Sequence, residues 1–512
     1  MSLSVNRQAV LQQAAGRSQI ISLPAPLAGL NSRDPIDGMD PTFALQMDNL
    51  FPESDRVRVR GGYETFCSNG GGSDLPKTLF NLVSGTNEYF GAVCNGDIYE
   101  LSSGTPSSRT GSLTITSDYW VTTIFADSAS PDTPYVIAVN GTDAPWKYSG
   151  TGNATAWTPT GPTLANLAWV FAFKNRVFAG EKDTRDFWYG ALGAGQGTLT
   201  KFPLSGIRGA QGNILFMAAM TRDTGSGPDD YAVFVTTEGQ VIVYAGTNPA
   251  DAAEWTLVGV YQIPRPIPSR KAHCQIFGDV VIATERDYVF LSQALQQGGA
   301  FVLQPTALSG AMEQVAFEYS GNLEWQMIAW PEANQIICNI PIRADVEYIQ
   351  HVFNAQTRAA CRYTGLNMAT LGRYDGKLYG TVPDKVVRLD SGLADDADGT
   401  PTAIQIRFRS AWWDLKSPQI KHVVAIRPFF RTYQPVSPTL QLATDFRLLD
   451  HSANAQTGIV AETFWGDTSG VTTDWGDASG ATTYWSGGLS GNATQDRAWR
   501  LLSNRGTDFQ LI

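Results

Sequence analysis

Arg265, Arg270 and Lys271 stand close together on the proline-rich stretch IPRPIPSRK, the strongest local cluster of positive charge in the chain. Proline removes a backbone donor, so this stretch is a loop rather than a central strand. Three cations on a loop suit a DNA phosphate backbone or an acidic partner surface, and equally an ordinary solvated loop. A second constellation lies near the C-terminus. The ten-residue repeat FWGDTSGVTT DWGDASGATT YWSGGLSGNAT sets Trp465, Trp475 and Trp485 at equal, even intervals. Such rings can line one side of an extended strand or successive turns of a small solenoid. Such ladders can bind sugars or stack nucleic-acid bases, but without accompanying basic residues they are candidates first for a subunit interface.

Catalytic patterns are missing. The four His (273, 351, 422 and 451) lie far apart, and none sits in HExxH. Neither a GxSxG elbow nor a GxxxxGK[ST] loop occurs. His273 and Cys274 are adjacent, but neighbouring residues of a strand point to opposite faces and cannot act as base and nucleophile. In DSGLADDADGT, Asp395, Asp396, Asp398 and Gly399 invite a calcium reading. With Gly399 in the sixth position of an EF-hand loop, however, the first is Ala394 and the twelfth Gln405, where Asp and Glu are required. A glycan hydrolase would need two carboxylates at a cleft, which spacing alone neither supplies nor excludes. The expectation is a protein without catalytic residues, metal or cofactor.

Composition points the same way. Of 512 residues, 50 are Gly, 27 Pro and 14 Trp, and only 17% are charged, the balance of a turn-dense, aromatic, all-β chain with more than one domain. The formal charge of −11 disfavours general binding to nucleic acid or anionic membrane. Five scattered Cys without CxxC spacing disfavour a zinc site or a disulfide framework. No signal-like or membrane-spanning stretch is read, so synthesis in a reducing cytoplasm is expected.

The elements that must carry these residues are short hairpins. In residues 230–246, DYAVFVTTEGQVIVYAG, two strand-like runs flank Gly239. Tyr231, Val233 and Val235 point one way and Ala232 and Phe234 the other, so both faces are apolar and a sheet must stack on each. Further turns fall at Asn95-Gly96, Asn140-Gly141, Lys174-Asn175, Arg286-Asp287, Ala333-Asn334 and Asp375-Gly376. With Glu238-Gly239 included, their separations are 45, 34, 64, 48, 47 and 42 residues, around the roughly 40 to 50 of a four-stranded propeller blade. The fold expected is an irregular six- or seven-bladed β-propeller over residues 56–390. A short N-terminal arm (1–55), with a helix over 5–15 and an amphipathic piece at 41–50, precedes it. An acidic linker (391–400) and a smaller C-terminal β domain (401–512) follow, the latter with strands at 404–409 and 422–431 and Trp412 and Trp413 as anchors. Arg56, Arg58 and Arg60 share one strand face, expected to be solvated or to meet phosphate.

Three islands, the N-terminal region, one central stretch and the Trp-Gly repeat, resemble a known family. Residues 29–34 (GLNSRD), 44–52 (ALQMDNLFP) and 57–63 (VRVRGGY) follow the order of elements at the start of tail nozzle or tail hub proteins of short-tailed bacteriophages. Residues 259–295, from GVYQI to LSQAL, are similar to a further element of that family, with Arg286-Asp287 where it tends to have Asp-Gly. Short Trp-Gly repeats also occur near the C-termini of such proteins. The resemblance implies a structural virion protein made in the bacterial cytoplasm. It would form a homohexameric ring, bind a portal-bound adaptor and carry tail fibres or a plug. Genomic double-stranded DNA would pass through without being held tightly, although Arg265, Arg270 and Lys271 could form one basic collar. A receptor- or glycan-binding virion protein is the alternative, and a hydrolase on a propeller the third.

Overall fold

The computed structural model describes residues 19–72, 74–207, 211–223, 228–296, 318–397, 399–432, 440–446, 494–496, 500–506 and 509–511. Pro26–Pro35 with Phe43–Phe408 form one compact unit. Ile36–Thr42 with the described residues of Met1–Ala25 and Arg409–Ile512 form the other. The helix expected over residues 5–15 and the Trp465, Trp475 and Trp485 repeat lie outside the described residues.

The large unit is a β-propeller. Its sheets follow the chain, each an antiparallel meander running from the axis outward. Blade I comprises Thr78–Ser84, Asn87–Cys94, Asp97–Glu100 and Ser107–Ser108, and blade II Val121–Phe125, Tyr135–Val139, Trp146–Tyr148 and Thr155–Ala156. Blade III is Leu167–Phe173, Arg176–Glu181, Phe187–Tyr189 and Thr200–Phe202. Blade IV is Ile214–Asp223, Pro228–Thr236, Gln240–Gly246 and Trp255–Gln262. Sheet V has three strands, His273–Ile276, Asp279–Ala283 and Tyr288–Phe290. The helix Leu291–Gln296 follows it and buries Leu291, Ala294 and Leu295 against blade IV. Blade VI is Gln326–Trp330, Gln335–Arg343, Glu347–Asn354 and Ala360–Tyr363, and blade VII Leu371–Tyr374, Lys377–Val382, Lys385–Leu389 and Tyr63–Ser68. The first strands lie side by side in that order, and the first strand of VII returns to that of I. Six full blades and the three-stranded sheet thus close the ring.

Blade stacking explains the doubly apolar hairpins. Val233, Val235, Val241 and Val243 pack toward sheet V, whereas Ala232, Phe234, Ile242 and Tyr244 pack toward blade III. Each blade is therefore buried on both faces, as residues 230–246 require. Close stacking also fixes some residue types. A Cβ on Gly180 would stand 2.1 Å from the buried Trp169 ring of the paired strand, so only glycine fits there.

The turns show why their spacing was uneven. Asn95-Gly96, Lys174-Asn175 and Asp375-Gly376 all have positive φ at both central residues, matching the twist of two-residue hairpins. Lys174-Asn175, Asn334 and Asp375-Gly376 join first and second strands, while Asn95-Gly96, Glu238-Gly239 and Arg286-Asp287 join second and third. The Arg286-Asp287 turn needs no glycine. The Thr284 hydroxyl accepts the Asp287 amide at 2.9 Å and donates to the Asp287 carbonyl at 2.7 Å.

The strands reach beyond the expected blade region at both ends. Gly29–Leu30 and Phe43–Asp48 pair in parallel with the outer strand of blade VI, so the piece read as amphipathic is a strand. Gly29, at φ +86°, lies so close to Ala360 that a Cβ would come within 2.5 Å of its backbone. Tyr63–Ser68 completes blade VII, and Ala394–Asp396, in the stretch read as a linker, pairs with it in parallel. Ala394–Asp396 is too short and acidic to look like a strand, and the partners of these segments lie some three hundred residues away in sequence, at blade edges (register Cys67 to Val386).

In the second unit Lys421–Ile426 pairs with Arg500–Gly506, Phe430–Thr432 with Thr494–Asp496, and Leu442–Thr444 with Phe509–Leu511. Trp412 is buried, its ring 4.7 Å from that of Phe446, while Trp413 is half-buried.

Candidate functional site at the propeller axis

The connections that enter blades I, II, VI and sheet V converge at one mouth of the axis. Lys271, just before sheet V, reaches across to blade I: its Nζ donates to the Lys77 carbonyl at 2.9 Å and to Thr78 Oγ1 at 3.1 Å, and lies 4.3 Å from the centre of the Tyr119 ring. Tyr119, entering blade II, places its hydroxyl 3.1 Å from Ser269 Oγ, which donates to the Trp325 carbonyl of the blade VI entry at 2.6 Å. Lys77 pairs with Glu324 and Asp345, each at 3.0 Å. Burial opposes the Lys77 charge, but Asp345 and Glu324 outweigh it and hold the ammonium above its ordinary value. These side chains bridge the axis and close this mouth.

Lys271 is half-accessible yet enclosed by protein, and burial pushes its amine down to about 7, with Glu324 opposing. The unfolded chain, with an ordinary value of 10.5, therefore binds more protons than the folded one above neutrality. The stability tied to this group is smallest below about pH 7 and grows as pH rises toward the unfolded value. Comparing wild type with Lys271→Met by urea denaturation should show wild type gaining ground between pH 7 and about pH 10. A difference that stays flat over that range would mean that the amine is ionised and well solvated.

The sequence cluster does not act as one. Arg270 lies at the axial mouth beside Lys271, with Nη1 3.5 Å from the Asn140 carbonyl of blade II, and burial lowers its pKa. Arg265 is apart and exposed, paired with Glu238 at 2.7 Å and facing Glu285 at 4.0 Å. Its charge is neutralised by acids of blade IV and sheet V. His273 and Cys274 do point to opposite faces. The imidazole stacks on Phe216 with centroids 3.7 Å apart, and Cys274 enters the core shared with blade VI. Burial holds the His273 pKa at about 4 and pushes the Cys274 thiol up to about 12. Asp395, weighed as a calcium ligand, faces inward to an arginine. Among the described residues no group of three or more His, Cys, Asp or Glu could hold a metal ion, and no helix is long and apolar enough to cross a membrane.

Below the plug the axis opens into a cavity of about 370 Å³ between the inner strands of blades I, II, VI and VII. Its wall includes Leu79, Asn81, Thr122, Ile328 and Leu371, and its outer end Glu88, Arg373 and Tyr374. Gln326 seals the plugged end: its amide donates to the Leu371 carbonyl at 2.8 Å and accepts the Leu371 amide at 2.8 Å and the Thr370 hydroxyl at 3.0 Å. No sequence signal marks this site, because Asn81 and Thr122 are single polar residues in ordinary strands.

A further constellation, also missed from sequence, unites the N-terminal elements. Arg60 is not on a solvated face: it is buried, and Nη1 and Nη2 meet Asp395 Oδ1 and Oδ2 at 2.7 and 2.6 Å. Its Nε donates to Asn49 Oδ1 at 2.9 Å. Asn49, at φ +61°, also accepts the Thr364 amide at 2.9 Å and donates to the Gln405 carbonyl at 2.7 Å. Asp48 accepts from Arg362 at 2.7 Å. Alternation placed Arg60 with Arg56 and Arg58, which are more exposed and pair with Glu53 and Asp390; a buried charge whose partner is far away in sequence leaves no local trace.

Neither a protein-family model nor a curated protein matches this chain. Solved structures resemble it at low identity. The extracellular domain of the putative hybrid two component system BT4673 from B. thetaiotaomicron aligns with TM-score 0.42 and 9% identity, over 64% of this chain and 40% of that one. BBS1N, from its complex with ARL6DN, aligns with TM-score 0.37 and 10% identity over 62% and 92%. Chaetomium thermophilum Raptor aligns with TM-score 0.36 and 10% identity over 63% and 29%. None of these likenesses bears on function.

Proposed function

We propose that this chain is a non-enzymatic structural subunit of the short tail of a bacteriophage, of nozzle or hub type. It assembles as a ring, a hexamer, in the virion and extends the path by which DNA leaves. One observation carries the reading. The three N-terminal sequence elements that resemble the phage proteins meet in a single place. Gly29 lies against Ala360, Asn49 binds Arg60, and Arg60 binds Asp395, so the shared residues build one buried junction at the outer edges of blades VI and VII. Residues serving such a junction have a physical reason to recur together.

The axis of a single propeller, bridged by Tyr119, Ser269 and Lys271, has no room for a duplex, so the conduit lies between subunits. An overall charge of −11 suits a wall that DNA slides past, since each lysine or arginine contact with phosphate adds salt-dependent binding. Arg270 and Lys271 are engaged at the axial mouth and Arg265 with acids, which leaves little free positive charge in that loop to grip phosphate. The ring's outer partners are a portal-bound adaptor on one side and fibres or a plug on the other.

Electron microscopy of the purified full-length protein should show six-fold rings with an axial hole, and these should bind linear duplex weakly, at about 10⁻⁴ to 10⁻⁶ M or weaker near physiological salt. A stable monomer, a trimeric spike, or tight binding that persists as salt is raised would overturn the reading.

A further inference from the structure

We propose that the axial cavity binds a small, neutral, polyhydroxylated molecule of one or two sugar rings. The proposal does not depend on the tail reading. The cavity's volume, about 370 Å³, falls within the roughly 300–1,000 Å³ of small-molecule sites. Its polar groups are unequally used. Gln326 is saturated by blade VII, but among the described residues the side chains of Asn81 and Thr122, on the inner strands of blades I and II, bond no other group. An amide and a hydroxyl each donate and accept, as sugar hydroxyls do.

The mouth narrows the choice further. Arg373 gives Nη2 to Glu332 at 2.8 Å. Glu88 accepts the Asp375 amide at 3.0 Å. Lys377 and Asp375 pair with each other at 3.0 Å. Two carboxylates against one guanidinium make the mouth mildly negative, which disfavours an anion. The inner wall carries no charge beyond this mouth, so a neutral hydroxylated ligand matches the donor-and-acceptor pair of Asn81 and Thr122. Leu79 and Ile328, both only partly buried, offer the apolar wall that the C–H face of a sugar ring needs.

The test is saturation-transfer NMR and calorimetry on the full-length protein with glucose, galactose and N-acetylglucosamine, and acetate as the anionic control. At least one sugar should bind saturably, and Asn81→Leu and Thr122→Val should each weaken it by about tenfold, the loss of one well-placed hydrogen bond. Thr122→Val keeps the side-chain shape, so it remains informative if Asn81→Leu fails to fold. Absence of saturable sugar binding, acetate binding in place of sugar, or sugar binding untouched by a folded variant would overturn the proposal.

Discussion

Asp395→Ala should cost this protein about 3–5 kcal/mol, because it leaves the Arg60 guanidinium buried and without its counter-ion. Side-chain exposure of the pair is 3% and 10%, so water cannot take over from the lost carboxylate. Arg60→Met with Asp395→Leu should recover most of that loss, since both desolvation costs vanish and apolar packing replaces them. The recovery should be incomplete, because Asn49 Oδ1 then keeps the Thr364 amide but loses the arginine. Urea denaturation of wild type, Asp395→Ala and the double variant checks this. A loss under about 1 kcal/mol in Asp395→Ala would be that of an exposed ion pair and would contradict the buried geometry.

Phe187→Ala should be of similar size, about 3–5 kcal/mol, through a cavity rather than a charge. The ring is fully buried between blades III and IV, stacked 4.7 Å from Phe234 and 4.9 Å from Phe202. Because neighbouring blades share such interfaces, the damage should begin locally. Amides in Arg176–Glu181 and Gln240–Gly246 should exchange hydrogen faster before those of blade VII do. Uniform acceleration in every blade would mean that the ring opens only as a whole.

Much of the propeller was legible because its signals are local. A blade buried on both faces must be apolar on both, and residues 230–246 said so. The uneven turn spacing also carried information. Moving from the Asn140-Gly141 loop, which follows a second strand, to Lys174-Asn175, which follows a first, shortens one interval to 34 residues, and returning to Glu238-Gly239 stretches the next to 64. Over that stretch the phase of the turn varies while the first strands, beginning at Val121, Leu167 and Ile214, stay 46 and 47 residues apart. What stayed hidden depends on distant partners. Phe43–Asp48 and Ala394–Asp396 are strands only because blade edges receive them, and Arg60 looks like its exposed neighbours until Asp395 is placed beside it. The basic loop was visible as composition, but its division between an acid-paired Arg265 and an axial Lys271 follows from the ring's closure. Asn81 and Thr122 carry no motif at all; only four strands meeting around an axis make them neighbours.

The pairing of Tyr63–Ser68 with Lys385–Leu389 has a consequence for biosynthesis. During translation the early strand leaves the ribosome roughly 320 residues before its mate, an interval of about 16 to 64 s at ~5–20 residues per second. Through that time the nascent chain holds an unzipped strand and a growing arc of blades whose end faces are bare and apolar. The completed circle is thus a late, all-at-once event with long-range contacts, the kind that folds slowly and invites misassociation between chains emerging side by side. Truncation just before Lys385 should accordingly leave material that associates rather than a smaller soluble ring.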